Sequence, residues 1–251
     1  IKAITKFGDY EIPFLEIRNL ITKGQNEVQL PNGQIGIIPA SWAEQYKDLF
    51  MFSEPMKGES RLQKYHVALV QNLKEEQNSK VIISRRLKKL MDFTKIEDQK
   101  LPSGFKGELR PYQKAGFNWM LFLNEFNFGA CLADDMGLGK TIQTLALLQH
   151  EHEANDQSTS LLIMPTSLVY NWQMEAKRFT PSLKILLYTG SDRIKNVKHF
   201  MQYDLVITSY GISRIDTAEV LSKCYFNYIV LDESQAIKNP DSRISMEVKK
   251  L

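Results

Sequence analysis

Cysteine is nearly absent from this chain of 251 residues: Cys131 and Cys224 are the only two, each beside apolar neighbours and neither in a CxxC pair. That excludes a disulfide scaffold and reads as two buried, reduced thiols in a cytosolic protein. Histidine is sparse too. His66, His150, His152 and His199 are scattered, and His150-Glu151-His152-Glu153 lacks HExxH spacing. The stretch reads as a solvated helix end, and no structural metal is expected. No apolar run approaches the roughly 18 residues of a membrane span, so no membrane partner is expected. There is no signal-peptide pattern, no internal repeat and no G-x-S-x-G elbow. Charge of one sign is lacking as well: 32 Lys+Arg face 29 Asp+Glu, a net of +3. This is too small a bias to argue for nucleic-acid binding from bulk charge. What bias exists leans N-terminal, with 18 basic and 14 acidic residues in 1–110 against 14 and 15 in 111–251.

What is present is ordinary globular composition, 43% hydrophobic and 24% charged, in a length that suits one large domain or two small ones. The first hundred residues read as a small mixed α+β segment. Pro31-Asn32-Gly33 between two apolar stretches, 28–30 and 34–38, is a hairpin signal. Ser41 is placed to cap a helix, with Glu44 completing a capping box, and Trp42, Tyr46, Leu49 and Phe50 recur at helical spacing as a core stripe. A second helical pattern runs through Leu62, Tyr65, His66, Leu69, Val70 and Leu73, followed by a polar loop at 74–80. Arg85, Arg86, Lys88 and Lys89 form a basic cluster that reads as a solvated helix face. The break at 100–104 sets a domain boundary between 102 and 103.

Beyond it, short apolar runs alternate with helical sequence: strand candidates lie at 129–133, 161–164, 185–188, 205–208 and 228–231. That alternation is the pattern of an α/β fold, a parallel sheet flanked by helices. In such sheets ligands sit at the carboxyl ends of the strands.

Two motifs fall at such ends. Residues 133–141 read Ala-Asp-Asp-Met-Gly-Leu-Gly-Lys-Thr and run from a strand candidate into a helical pattern, the setting of a phosphate loop. Gly137 and Gly139 let backbone N–H groups face phosphate oxygens. Lys140 supplies a point charge for the β- and γ-phosphates, and the Thr141 hydroxyl is a hard ligand for Mg²⁺. Asp134 stands in the first glycine slot of the general pattern. The second motif, Asp232-Glu233, closes an apolar run 92 residues after Lys140. Asp232 suits Mg²⁺ held through water, and Glu233 suits orienting or deprotonating an attacking water. Together the two motifs specify nucleoside-triphosphate hydrolysis, with Lys140, Asp232 and Glu233 as catalytic candidates.

Over residues 104–251 the chain resembles the first RecA-like lobe of a helicase superfamily two ATPase of the SWI/SNF chromatin-remodelling type. Leu109-Arg110-Pro111-Tyr112-Gln113 resembles that family's adenine-reading motif, with Gln113 as the base-contacting amide and Arg110 beside it. Residues 134–141 resemble its phosphate loop, in which Asp134 is normal and Asp135 stands where Glu is usual. Asp135, Met136, Gly137, Leu138, Gly139, Lys140 and Thr141 are thereby nucleotide-binding candidates. Residues 165–179 and 207–210 resemble two motifs whose loops touch the nucleic-acid backbone, which implies Thr166, Ser167, Thr208 and Ser209 as phosphate contacts. Trp172 and Phe179 read as core anchors. Gln235, where many eukaryotic relatives carry His, resembles the bacterial and archaeal branch and lies in the nucleotide site.

The resemblance implies ATP and Mg²⁺ as cofactors and double-stranded DNA as partner. It also implies a second RecA-like lobe, beyond Leu251, that brings arginines to the ATP. A chain that starts at Ile1 without methionine is expected to be a piece of a longer, bacterial, cytoplasmic and nucleoid-associated protein. By itself the piece is expected to be nearly inactive. Two alternatives stay open: an ATPase that follows RNA or works with RNA polymerase, and a nucleotide-gated interaction module without turnover.

Overall fold

The computed structural model describes residues 4–56, 59–62, 95–155 and 158–251. The chain forms two units, divided between Thr94 and Lys95. The sequence set the boundary at 102/103. The earlier division has a polar cause: Asp98 pairs with Lys114 at 3.1 Å and accepts from Asn118 Nδ2 at 2.8 Å, while Gln99 N–H donates to Asn118 Oδ1 at 3.1 Å. Residues 95–102 are thereby held to the second unit.

Among its described residues the first unit has three antiparallel hairpins: β1 (Ile4–Phe7) with β2 (Tyr10–Pro13), β3 (Glu27–Gln29) with β4 (Ile35–Ile37), and β5 (Ser53–Met56) with β6 (Glu59–Leu62). Helix α1 (Phe14–Thr22) follows β2, and α2 (Trp42–Gln45) and α3 (Lys47–Phe52) follow β4. The expected Asn-Gly hairpin forms, with Gly33 at φ +82° and the Asn32 side chain accepting from Gln34 N–H at 3.0 Å. Ile12, Ile17, Val28 and Ile38 make the core, with Trp42 packed against it. Ser41 does not cap α2: it is itself helical and its side chain accepts no N–H, so the capping box is absent. The helical pattern drawn through 62–73 meets a strand residue at Leu62. The rest of that pattern, the loop at 74–80 and the basic cluster at 85–89 lie outside the described residues.

The second unit is built on four parallel strands in the order β10-β7-β9-β8: β7 (Ser160–Met164), β8 (Ile185–Leu187), β9 (Leu205–Ser209) and β10 (Ile229–Leu231). Leu161 pairs with Val206 on one side and Ile229 on the other. Period-two alternation divides the side chains between two layers. Leu162, Met164, Leu205 and Ile207 pack beneath α5 (Lys140–Ala154) and α6 (Val169–Phe179) through Leu145, Leu148, Trp172 and Ala176. Leu161, Ile163 and Val206 face Phe200 of α7 (Val197–Phe200), Tyr210 of α8 (Tyr210–Asp216) and Val248 of α9 (Arg243–Val248). Ahead of these, α4 (Pro111–Glu125) lays Phe117 against Ala146 of α5. This is the helix-flanked parallel sheet of a RecA-like lobe.

Residues 129–133 are not a strand. Gly129, Ala130, Cys131 and Ala133 are too small to bury much apolar area, and all four are exposed. Among the described residues none of them enters the sheet. Cys131 is therefore not a buried thiol, and Cys224 is half-buried with Sγ 3.5 Å from the Val220 carbonyl. The end of α5 is solvated only in part: Glu153, Ala154 and Asn155 are exposed, as expected of a helix end, but Glu151 is not. Glu151 is buried and accepts from Asn155 Nδ2 and Asn227 Nδ2, each at 2.6 Å. Glu153 accepts from Ser103 N–H at 2.9 Å and Gly104 N–H at 2.7 Å.

A further polar tie was not read from the sequence. Asp216, at the end of α8 and fully buried, takes Lys195 Nζ at 2.7 Å, the Tyr188 hydroxyl at 2.7 Å and Arg193 Nε at 2.5 Å. Burial alone would raise its pKa; the Arg193, Lys195 and Tyr188 donors outweigh it and hold the carboxyl at about 2. Replacing Asp216 with Asn leaves two cations without their anion. A cost of about 2 kcal/mol is expected at neutral pH, below the usual figure for a buried pair because Lys195 is partly solvated. A native pKa below the unfolded value gives stability that is complete above about pH 4 and is lost as pH falls towards 2. Urea unfolding of both proteins across that range should show the gap closing on acidification; a gap constant with pH would reject the assignment.

Candidate functional site

The phosphate loop opens α5. Gly137 and Gly139 sit at φ +81° and +77°, in the left-handed region that favours glycine. At Gly139 a Cβ would also lie 2.4 Å from Gln113 Nε2, so a side chain there would force that amide to shift. The Leu138 carbonyl explains this closeness: it accepts from Gln113 Nε2 at 3.0 Å and from the Tyr112 hydroxyl at 3.1 Å. Gln113 Oε1 in turn accepts Arg110 N–H at 2.9 Å, at the start of α4, where Pro111 takes the first helical position. The adenine-type motif and the phosphate loop are thus one hydrogen-bonded unit. The Gln113 amide, expected to meet a base, bonds the backbone of that unit through both its oxygen and its nitrogen.

Lys140 turns back on its own loop, with Nζ 2.7 Å from the Asp134 carbonyl and 3.2 Å from that of Asp135. The ammonium satisfies carbonyls of the loop in which phosphate oxygens would be received. Asp134 is braced by Gln143, a buried side chain on α5, at 3.3 Å. Gln143 and Tyr112 are site residues that sequence reading missed; Gln143 stands one turn after Gly139, a spacing that could have marked it. Met136 is almost wholly exposed, and Asp135 and Leu138 are exposed with it.

A second cluster gathers at the carboxyl end of β10. Asp232 Oδ2 accepts Trp172 Nε1–H at 2.7 Å, Oδ1 accepts the Glu233 N–H at 3.0 Å, and its carbonyl accepts the Tyr210 hydroxyl at 2.9 Å. Burial, with the Asp232 and Glu233 carboxylates near, pushes the Tyr210 phenol up to about 12, so it stays a donor. Glu233 is in the left-handed region at φ +50°, uncommon for a residue with a side chain. Its Oε2 accepts from Gln235 Nε2, which brings those two predicted site residues into contact. Among the described residues no hydrogen bond or ion pair joins this cluster to the phosphate loop.

The predicted nucleic-acid contacts divide. Thr166 and Ser167 are exposed in a short 3₁₀ turn between β7 and α6. Thr208 and Ser209 are buried, which overturns the expectation that their hydroxyls meet phosphate. Thr208 Oγ1 donates to the Tyr188 carbonyl at 2.8 Å, and Ser209 Oγ caps α8 by accepting Ile212 N–H at 3.3 Å. Trp172 is a core residue as expected, and half-buried Phe179 stacks on Phe105 with centroids 6.2 Å apart.

The site suits Mg²⁺ and a nucleoside triphosphate. Asp232 keeps lone pairs beyond its two N–H bonds, Thr141 is half-buried at the start of α5, and magnesium takes few protein ligands beside phosphates and water. The backbone at Gly137 and Gly139 is already in the conformation that a phosphate cradle needs.

The chain is similar to known proteins. Residues 112–251 match the SNF2-related domain. A Bacillus subtilis protein designated an ATP-dependent helicase/translocase, YwqA, is 48% identical over 169 residues, 66% of this chain and 18% of that protein. The TATA-binding protein-associated factor MOT1 of Saccharomyces cerevisiae is 36% identical over 179 residues, 66% of this chain and 10% of that one. The SWI2/SNF2 ATPase core of Sulfolobus solfataricus, solved in complex with double-stranded DNA, superposes with a TM-score of 0.56 at 42% identity, covering 62% of this chain and 32% of that core. The chain therefore spans less than a fifth of the length of these curated relatives. Since the family match runs from Tyr112 to Leu251, more than half the sequence, the chain belongs to the SNF2-related family.

Proposed function

We propose that this chain is the ATP-binding lobe of a DNA-dependent ATPase that translocates on duplex DNA and remodels protein–DNA complexes. The observation that carries the reading is the Asp232-Glu233 pair at the carboxyl end of β10, in one unit with a glycine loop that opens α5. Support for the track comes from the archaeal relative solved with double-stranded DNA.

In this reading the N–H groups around Gly137 and Gly139 bind the phosphates, and Lys140 leaves the Asp134 and Asp135 carbonyls to pair with them. Arg110 and Gln113 bind at the adenine end. Thr141 and Asp232 would hold Mg²⁺, which neutralises charge on the β- and γ-phosphates when bound. Glu233 orients the attacking water and takes its proton at the carboxylate that Gln235 holds. Thr166 and Ser167 meet the DNA backbone.

Lys140→Ala should weaken ATP binding about tenfold or more, since a charge-assisted bond to phosphate is worth roughly 1.5–3 kcal/mol. Glu233→Gln, in a protein carrying both lobes, should bind ATP normally and lose turnover. Calorimetry on both variants checks this; unchanged affinity in the Lys140 variant would sink the phosphate-loop assignment.

DNA binding through Thr166 and Ser167 should be weak, fall steeply with salt and depend little on sequence. Anisotropy titrations of two unrelated duplexes over a salt series measure it. A salt-insensitive, sequence-selective interaction would point to a base-reading module instead.

Arginines that neutralise transition-state charge are worth about 10³–10⁵-fold in rate, and by family resemblance they belong to the second lobe. This chain alone should bind ATP or ADP weakly and hydrolyse ATP barely above background, with or without DNA. Steady-state phosphate release beside a two-lobed protein is the measurement. Robust DNA-stimulated turnover by the chain alone would reject the two-lobe mechanism.

A further inference from the structure

We infer that Trp172 is a positioning residue for the Asp232 carboxylate, and that through it the exposed turn at Thr166–Leu168 biases Mg²⁺-dependent nucleotide binding. The inference rests on the proposed reading in which Asp232 holds Mg²⁺ and the turn meets DNA phosphates.

The physical link is short. The turn runs directly into α6, and Trp172 lies in the first turn of that helix. Its indole is 3% exposed, packed in the core layer with Leu162, Met164 and Leu205. A buried indole N–H needs an acceptor. Here the acceptor is not a backbone carbonyl but Asp232 Oδ2, at 2.7 Å and 60 residues away in sequence. Asp232 Oδ1 is already held by the Glu233 N–H, so the two bonds together fix the plane of the carboxylate. The backbone behind it is pinned by the Tyr210 hydroxyl. With its peptide and both oxygens held, the carboxylate can reorient only if the indole moves. The indole sits in a close-packed layer and moves only with α6. A shift of the turn under a phosphate backbone therefore reaches the metal carboxylate through one rigid helix turn and one hydrogen bond. Partners of this kind, behind a metal ligand, typically govern metal affinity by about 10–100-fold. If the turn's ligand alters Mg·ATP affinity through Trp172, then Mg·ATP must alter DNA affinity by the same factor.

The test uses the whole chain and two replacements at one position. Trp172→Phe fills much of the same space without the N–H. Benzothienylalanine at position 172 keeps the bicyclic shape and places sulfur where the N–H was, so it reads the hydrogen bond even if the Phe variant folds poorly. Calorimetry measures ATP affinity in EDTA and in Mg²⁺, each with and without a mixed-sequence duplex, and DNA affinity with and without Mg·ATP. The expected result has two parts. Both replacements reduce the Mg²⁺-dependent gain in affinity about tenfold while leaving metal-free affinity unchanged. Both also abolish the effect of DNA on Mg·ATP affinity and its reciprocal. An equal loss in EDTA and in Mg²⁺ would make Trp172 merely structural and overturn the inference. So would an unchanged Mg²⁺-dependent gain, or a coupling to DNA that survives both replacements. An unmodified chain that binds neither ATP nor DNA would instead bring down the proposed function, and this inference with it.

Discussion

Strands β7 and β9 are buried along their whole lengths. A strand covered on both faces can offer polar chemistry only where it ends, because any charge within it would be stranded in apolar surroundings. This one constraint sets the plan of the second unit. The exposed turn of Thr166 and Ser167 follows the end of β7, and Asp232 and Glu233 follow the end of β10. The end of β9 shows how narrow the rule is. Thr208 and Ser209 lie there too, but they are still inside the sheet, and their hydroxyls serve the Tyr188 carbonyl and the start of α8.

The same burial explains what could be read from sequence. The four strands that formed are apolar runs with β-branched or large side chains, bounded by loops, and their positions were legible to within a residue. Residues 129–133 looked similar by hydropathy alone. Alanine, glycine and cysteine, however, supply too little area to draw a backbone onto a sheet. The glycine loop and the Asp-Glu pair were legible because their chemistry resides in local order: two glycines, a lysine and a hydroxyl in sequence, or two carboxylates after an apolar run. Ties across long separations were not. Trp172 meets Asp232, and Arg193 meets Asp216, only after the helices are placed. From sequence alone the tryptophan was a core anchor, and the aspartate at the end of α8 drew no notice. The end of α5 misled in part, for a related reason: Glu153 is exposed as expected, but Glu151 is buried and finds a donor in Asn227.

Three carboxylates of this unit are held by sets of donors rather than by single bonds. Glu151 has two amide donors, Asp216 three donors, and Asp232 two N–H donors with a hydroxyl on its carbonyl. Each set joins elements that the hydrophobic layers alone would leave free to slide: the segment before β10 to α5, the loop after β8 to α8, and β10 to α6. Such networks specify one packing among several of similar apolar area, because a slipped arrangement would strand a charge. Glu233, held in a left-handed conformation next to the third of these sets, shows the backbone cost that such a local arrangement can impose.

The posture of Lys140 has a consequence for how ligand heat is to be understood. Its ammonium already holds two carbonyl partners within the loop, so an arriving polyphosphate does not meet a free cation. It takes one from acceptors that must then turn to water or remain unfilled. Association at this loop is accordingly a trade of partners, in which only the difference between an anionic and a neutral acceptor is released. A measured enthalpy close to zero would be compatible with firm occupancy. Replacing the lysine removes its bonds to the Asp134 and Asp135 carbonyls as well as its charge, so the loop itself should change.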